Sequence, residues 1–245
     1  MVEVIERGSG PNVVLVHGAV FDAEMTFGRL APLADRYTLR MVNRRGYGNS
    51  PAVTGEDFEV DANDVAALLK PGSHLVGHSY GGVVAMLAAA LKPDDVASLT
   101  VVEPPAFALT AETEEAKRFR ASVEELLAKG PTPEVFLREF IPLVGGDPSR
   151  LPQTIPPPML RAASVQMNGR WPWEADVPLV ALRKAPFPKM VVSGGHSALF
   201  DGVCDVLERE LPARRVVIRG AGHSIPTLGE PFNVELEALW DGAGR

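Results

Sequence analysis

Hydrophobic positions along the chain follow two alternating patterns. Short apolar runs rich in β-branched residues fall at residues 2–6, 13–16, 38–42, 74–76, 99–103, 189–193 and 215–218. Between them, apolar residues recur at helical spacing over residues 25–34, 60–69, 80–91, 200–210 and 231–240. Buried strands alternating with amphipathic helices predict βαβ units and a mostly parallel, doubly wound α/β sheet flanked by helices.

One interval breaks the alternation. From about residue 107 to 188 no strand pattern appears, and 12 of the chain's 22 prolines lie between Pro131 and Pro188. Proline stops helices and stiffens turns, while Val123, Leu126 and Leu127, then Val135, Phe136, Phe140 and Ile141, keep helical spacing. The interval therefore reads as short helices joined by rigid corners rather than as a linker. The expected organisation is a core of residues 1–106 and 186–245, with residues 107–185 inserted as a helical cap over the sheet's carboxyl edge.

Composition changes this picture little. Hydrophobic residues make up 46% and charged residues 22%, the values of an ordinary globular protein. The net charge of -7 and the scattered Lys and Arg residues argue against a nucleic-acid partner. No run approaches the ~20 apolar residues of a membrane span, and the start carries no leader pattern, so a cytoplasmic protein is expected. Cys204 is the only cysteine, which excludes an intrachain disulfide and disfavours a cysteine metal site. Its place on an apolar helix face predicts burial. Oligomeric state is not legible.

The chemistry concentrates at Gly77-His78-Ser79-Tyr80-Gly81, between a predicted strand and a predicted helix. A serine on such a sharp turn projects from the sheet edge, the flanking glycines avoid backbone clashes, and the helix N-terminus favours developing negative charge. A hydroxyl needs a base, and the base needs a partner that fixes its tautomer. Of five histidines, His223 fits best, in the glycine-rich loop Gly220-Ala221-Gly222-His223-Ser224 after the last predicted strand. His17 reads as loop support, His74 as a strand-entry residue, and His78 as pointing away from the nucleophile.

The order His17-Gly18, Arg45-Gly46-Tyr47-Gly48-Asn49-Ser50, Gly77-His78-Ser79-Tyr80-Gly81-Gly82 and Gly222-His223 resembles the α/β-hydrolase superfamily across nearly the whole chain outside the cap. The resemblance implies an α/β-hydrolase fold and an oxyanion hole built from the backbone N–H groups of Ala19 and Tyr80. It also implies that Arg45 serves packing and hydrogen bonding in a structural loop. In the commonest family pattern an aspartate follows the penultimate strand, but Ser197 stands there. Some members carry the acid after the strand that follows the nucleophile helix, where this chain has Glu103. A carboxylate ending an apolar strand is costly to bury unless paired, so Glu103 is the expected acid, with Asp201 as the alternative. His196 is expected in the space the missing aspartate leaves. His196 and His223 lie on different loops without metal-ligand spacing, so neither a metal nor another cofactor is expected.

The function expected is serine-dependent hydrolysis of a carboxylic ester or related acyl bond in a small-molecule substrate. The same residues would serve a thioesterase, lactonase, carbon–carbon bond hydrolase or cofactor-free perhydrolase, and a slow-turnover receptor or sensor is the rival from another class. A haloalkane dehalogenase is disfavoured, since that resemblance places aspartate at position 79. Phe107, Phe119, Phe136, Phe140, Trp171 and Trp173 offer cap area for a largely apolar substrate, most of them as cap core.

Overall fold

A computed structural model describes residues 1–220 and 222–243; Ala221 of the glycine-rich loop, and residues 244 and 245 of the expected core, lie outside the described residues. The strands are β1 (Glu3–Arg7), β2 (Asn12–Val16), β3 (Thr38–Asn43), β4 (Ser73–His78), β5 (Val96–Val102), β6 (Lys189–Ser193) and β7 (Arg214–Val217). Among the described residues they form a seven-stranded sheet in the order β1-β3-β2-β4-β5-β6-β7. Only β1 pairs antiparallel, with β3.

The helices are α1 (Ala23–Phe27), α2 (Phe58–Ala66), α3 (Tyr80–Leu91), α4 (Glu114–Ala128), α5 (Pro133–Leu143), α6 (Pro157–Met167), α7 (Leu179–Lys184), α8 (Ala198–Glu210) and α9 (Glu230–Ala243). Successive strand residues face opposite sides. Val14, Val16, Val101 and Val191 therefore join the core shared with α2, α3 and α8. Val13, Leu15, Val102 and Val192 join the core shared with α1 and α9. Helix α3 is apolar nearly all round and correspondingly buried, from Tyr80 to Ala89 with only Leu87 half-buried. Cys204 is buried on α8, and burial pushes its thiol up.

Local differences from the sequence pattern have local causes. The helix expected over residues 25–34 is split into α1 and a 3-10 segment, Gly28–Asp35. Pro32 there lacks the amide that an α-helix needs. Strand β5 begins at Val96 and stops at Val102, which leaves Glu103 just beyond it.

Among the described residues, the connection from β5 to β6 holds no strand; it carries α4, α5, α6 and α7. Its prolines begin helices as well as interrupt them. Pro133 opens α5, where the Thr132 hydroxyl accepts from the Val135 amide, and Pro157 opens α6. The first helical position tolerates proline because its N–H has no intrahelical partner. Phe136, Phe140 and Ile141 bury as their spacing predicts, whereas Val135 is exposed.

Parallel pairing decides where chemistry can gather. The registers Val16 with Gly77, His78 with Val102, and Val102 with Val192 bring the carboxyl ends of β2, β4, β5 and β6 side by side. The loops leaving those ends gather at one edge of the sheet.

Candidate active site

Ser79 sits between β4 and α3 with φ 52° and ψ −128°, a conformation that a non-glycine residue rarely adopts. Its amide donates to the Val102 carbonyl at 2.8 Å, which ties the strained residue to β5. The turn is tight enough that a Cβ on Gly81 would lie 2.2 Å from the Val16 carbonyl oxygen. Gly18 is as constrained: a Cβ there would come within 2.8 Å of the Ser79 Cβ. Two residues to either side of the serine stand glycines, Gly81 because main chain from β2 passes directly against it and Gly77 because α3 does, a Cβ there lying 2.2 Å from the Gly81 carbonyl oxygen.

Glu103 lies one residue past β5 with φ 44° and is completely buried. Its amide donates to the Val192 carbonyl at 2.9 Å. Three donors converge on its carboxylate. The Gly194 amide donates to Oε1 at 2.6 Å, His223 Nδ1 to Oε2 at 2.6 Å, and His196 Nε2 to Oε2 at 3.0 Å. Burial alone would raise this carboxyl, but the His223 hydrogen bond and charge, the Gly194 amide and His196 outweigh it and bring it down to about 2. An ionised carboxylate only accepts, so Nδ1 of His223 is the donor to Glu103 and Nε2 is the ring nitrogen left to act as a base. Phe200 stacks on the His223 ring at 4.3 Å between centroids.

The other histidines divide by contact. The buried His78 is neutral, lowered to about 3 chiefly by burial, and its Nε2–H donates to the His223 carbonyl at 2.7 Å. Rather than only pointing away, it fixes the backbone of the second histidine. His17 bonds the Gly18 carbonyl through Nδ1 at 2.7 Å and accepts the Arg44 amide at Nε2 at 3.1 Å, which holds the loop after β2. His74 meets Ser98 Oγ at 2.8 Å near the start of β4, remote from this edge.

Asp201 is not brought to His223. Its carboxylate is taken by Ser193 Oγ and by Arg215 at 3.1 Å. Arg45 pairs with Asp64 at 2.6 Å and is part-buried, but the packed arginine of this loop is its neighbour. Arg44 is fully buried, pairs with Glu56 at 3.0 Å and Asp61 at 2.8 Å, and donates to the His17 and Gly18 carbonyls. Nothing local in Arg44-Arg45 distinguishes the two, and Glu56 and Asp61 do not stand out either, because Asp57, Glu59 and Asp64 lie on the same stretch.

Ser79, His223, Ala19 and Tyr80 all line one cavity of about 610 Å³, within the usual range for small-molecule sites. Much of its wall comes from the β5–β6 connection. Phe107, Phe119, Phe140 and Trp171 line it while also packing in the core, so most of the six aromatics face the cavity rather than serving the core alone. Glu103, His196 and His223 each place one ligand atom within 4.8 Å of the others. A divalent ion could be held by that donor set, a juxtaposition that spacing along the chain did not reveal.

Comparison with known proteins gives the class. A family model described as the alpha/beta hydrolase family matches residues 13–234, and the chain belongs to that family. A pimeloyl-[acyl-carrier protein] methyl ester esterase of Aeromonas hydrophila is 38% identical over 107 residues, which cover 42% of this chain and 42% of that protein. The match thus spans under half the length of that relative. A 2-(acetamidomethylene)succinate hydrolase of Mesorhizobium japonicum is 28% identical over 91% of this chain and 84% of its own. Among solved structures, a thermophilic esterase from Thermogutta terrifontis superposes with a TM-score of 0.74 at 23% identity, covering 99% of this chain and 93% of that one. That likeness is one of fold. No helix among the described residues is long and apolar enough to cross a membrane.

Proposed function

We propose that the chain is a serine hydrolase that cleaves a carboxylic ester or related acyl bond, with Ser79 as nucleophile, His223 as general base and Glu103 as the acid of the triad. The observation that carries this reading is the 2.6 Å bond to a buried, ionised Glu103 from Nδ1 of His223, which lines the same cavity as Ser79. The esterases and hydrolases among the relatives favour the same chemistry.

In the mechanism, His223 Nε2 takes the Ser79 proton as Oγ attacks the acyl carbon. Glu103 keeps the imidazole in the Nδ1–H tautomer and stabilises the imidazolium as it forms. The Ala19 and Tyr80 amides hold the oxyanion, one such donor being worth about 10²- to 10³-fold in rate. Gly18 lets the loop that carries Ala19 approach Ser79, and Arg44 secures that loop by binding the carbonyls of His17 and Gly18. The imidazolium protonates the leaving group, and water repeats the cycle on the acyl-enzyme. Residues 107–185 act as a cap that supplies the apolar acyl wall and excludes bulk water.

Release of p-nitrophenol from short-chain esters tests the assignment. Wild-type protein turns over repeatedly, and Ser79→Ala lowers kcat by roughly 10⁴- to 10⁶-fold. A Ser79→Ala protein with undiminished turnover would overturn it.

A further inference from the structure

One stretch of the cavity wall is not apolar. Glu56, Tyr80 and Gln166 all line the cavity and are 4%, 2% and 5% exposed. They are neighbours. The Glu56 amide donates to the Val165 carbonyl at 3.2 Å, and the Arg170 amide to the Glu56 carbonyl at 2.8 Å. The loop before α2 is thereby stitched to the end of α6 that carries Gln166. The Arg44 guanidinium joins the third member, 3.0 Å from the Glu56 carboxylate and 4.5 Å from the Tyr80 ring centroid.

Two features of this stretch point to a ligand. The Gln166 amide oxygen and the Tyr80 hydroxyl are buried without a hydrogen-bond partner, a state that favours any molecule able to supply one. The buried charges also fail to cancel. Glu56 and Asp61 share the single guanidinium of Arg44, which leaves one carboxylate charge uncompensated when all three are ionised. The stretch offers acceptors in the Glu56 carboxylate, the Gln166 amide oxygen and the Tyr80 phenol oxygen, of which the carboxylate only accepts and the phenol and amide can also donate. Rotation about the last Gln166 torsion turns either end of its amide to a ligand.

We propose that Glu56, Tyr80 and Gln166 form a recognition subsite for an uncharged N–H or O–H donor on the substrate, such as a primary amide, and that the subsite rejects a carboxylate at that end. The proposal rests on reading the cavity as the substrate site, and it narrows that reading: the substrate is apolar along most of its length and carries one hydrogen-bond donor. A carboxylate placed there would meet uncompensated negative charge in a poorly screened setting, which is discrimination by repulsion as well as by attraction.

Binding to Ser79→Ala protein tests this without turnover and without addition of Ser79 to a carbonyl. The probes are hexanamide, its near-isostere 2-heptanone, and hexanoate, each titrated while the fluorescence of Trp171 in the cavity wall is followed. Hexanamide should bind about tenfold more tightly than 2-heptanone, and hexanoate more weakly than either. Adding Gln166→Leu, or Gln166→Met where the leucine protein does not fold, should bring the amide-to-ketone ratio near one. The proposal fails if 2-heptanone or hexanoate binds Ser79→Ala as tightly as hexanamide, or if the ratio survives the loss of the Gln166 amide. Since no step is hydrolytic, such a failure leaves the serine hydrolase reading to the ester assay, and the converse holds.

Discussion

Two buried glutamates stand close to the same cavity and behave in opposite ways. Glu103 is fully buried, yet its donors overcome burial and hold it ionised at about 2. Glu56 is nearly as buried, but there burial outweighs the attraction of Arg44, which it shares with Asp61, and its carboxyl lies above the ordinary range. Burial therefore does not by itself set the direction in which a carboxyl shifts here. The donors around it do, three converging on Glu103 while a shared guanidinium and the Tyr47 hydroxyl serve Glu56. The first arrangement suits a group that must stabilise an imidazolium, the second one that braces a loop and lines a wall.

The largest expected effect separates the two clusters by activity. Glu103→Gln removes the charge that orients His223 and should lower kcat about 10⁴-fold. Asp201→Asn should leave kcat within a few-fold, because Asp201 is held by Ser193 and Arg215. The reverse outcome in the ester assay would move the acid to Asp201. The Arg44 cluster should respond in stability. Arg44→Met leaves two buried carboxylates without their cation and should destabilise the fold by about 3–5 kcal/mol, read from urea midpoints.

The pH dependence of stability sharpens the contrast. Glu103 has a folded value below its ordinary 4.5, so its contribution is fully present above 4.5 and is lost as pH falls toward about 2. Glu56 and Asp61 are shifted up, chiefly by burial, so their proton-linked contribution is present at low pH and is lost as pH rises above their ordinary values. Denaturation curves of wild type between pH 5 and 2 should therefore fall more steeply than those of Glu103→Gln. Parallel curves would show that Glu103 does not set the acid limb. The smallest effect belongs to His196. His196→Ala removes one of three donors to Glu103 and should lower kcat by about three- to tenfold, and His196→Gln, which keeps an N–H, should recover part of it. Equal loss in both variants in steady-state kinetics would reduce His196 to a packing role.

Much of the architecture was legible because its signals are local. Runs such as Val13 to Val16 and the apolar helix after Tyr80 announce buried parallel strands and a helix between layers. The glycines at 77 and 81 mark a turn that tolerates no Cβ. Glu103 stood out in the sequence as a carboxylate ending an otherwise apolar strand, which is costly to bury unless paired. The change from α-helix to 3-10 helix at Gly28 was missed although Pro32 is a local signal for it, and the orientation of Val135 was missed because it depends on which neighbours pack nearby. Arg44 was passed over for Arg45 because adjacent arginines look alike until one of them faces two buried carboxylates.

The sequence by itself determined which segments become strands and helices, that a serine stands on a strained turn between one of each, and which histidine and carboxylates were available to it. The tertiary structure decided the partners: Glu103 takes hydrogen bonds from groups 91, 93 and 120 residues away. It also decided that His78 fixes the His223 carbonyl and that Gln166 reaches the cavity beside Glu56. The physical reason is range. Periodicity, proline and glycine act within a few residues through backbone sterics, whereas charge pairing across a sheet edge depends on strand register and order, which parallel packing sets only when the whole core closes.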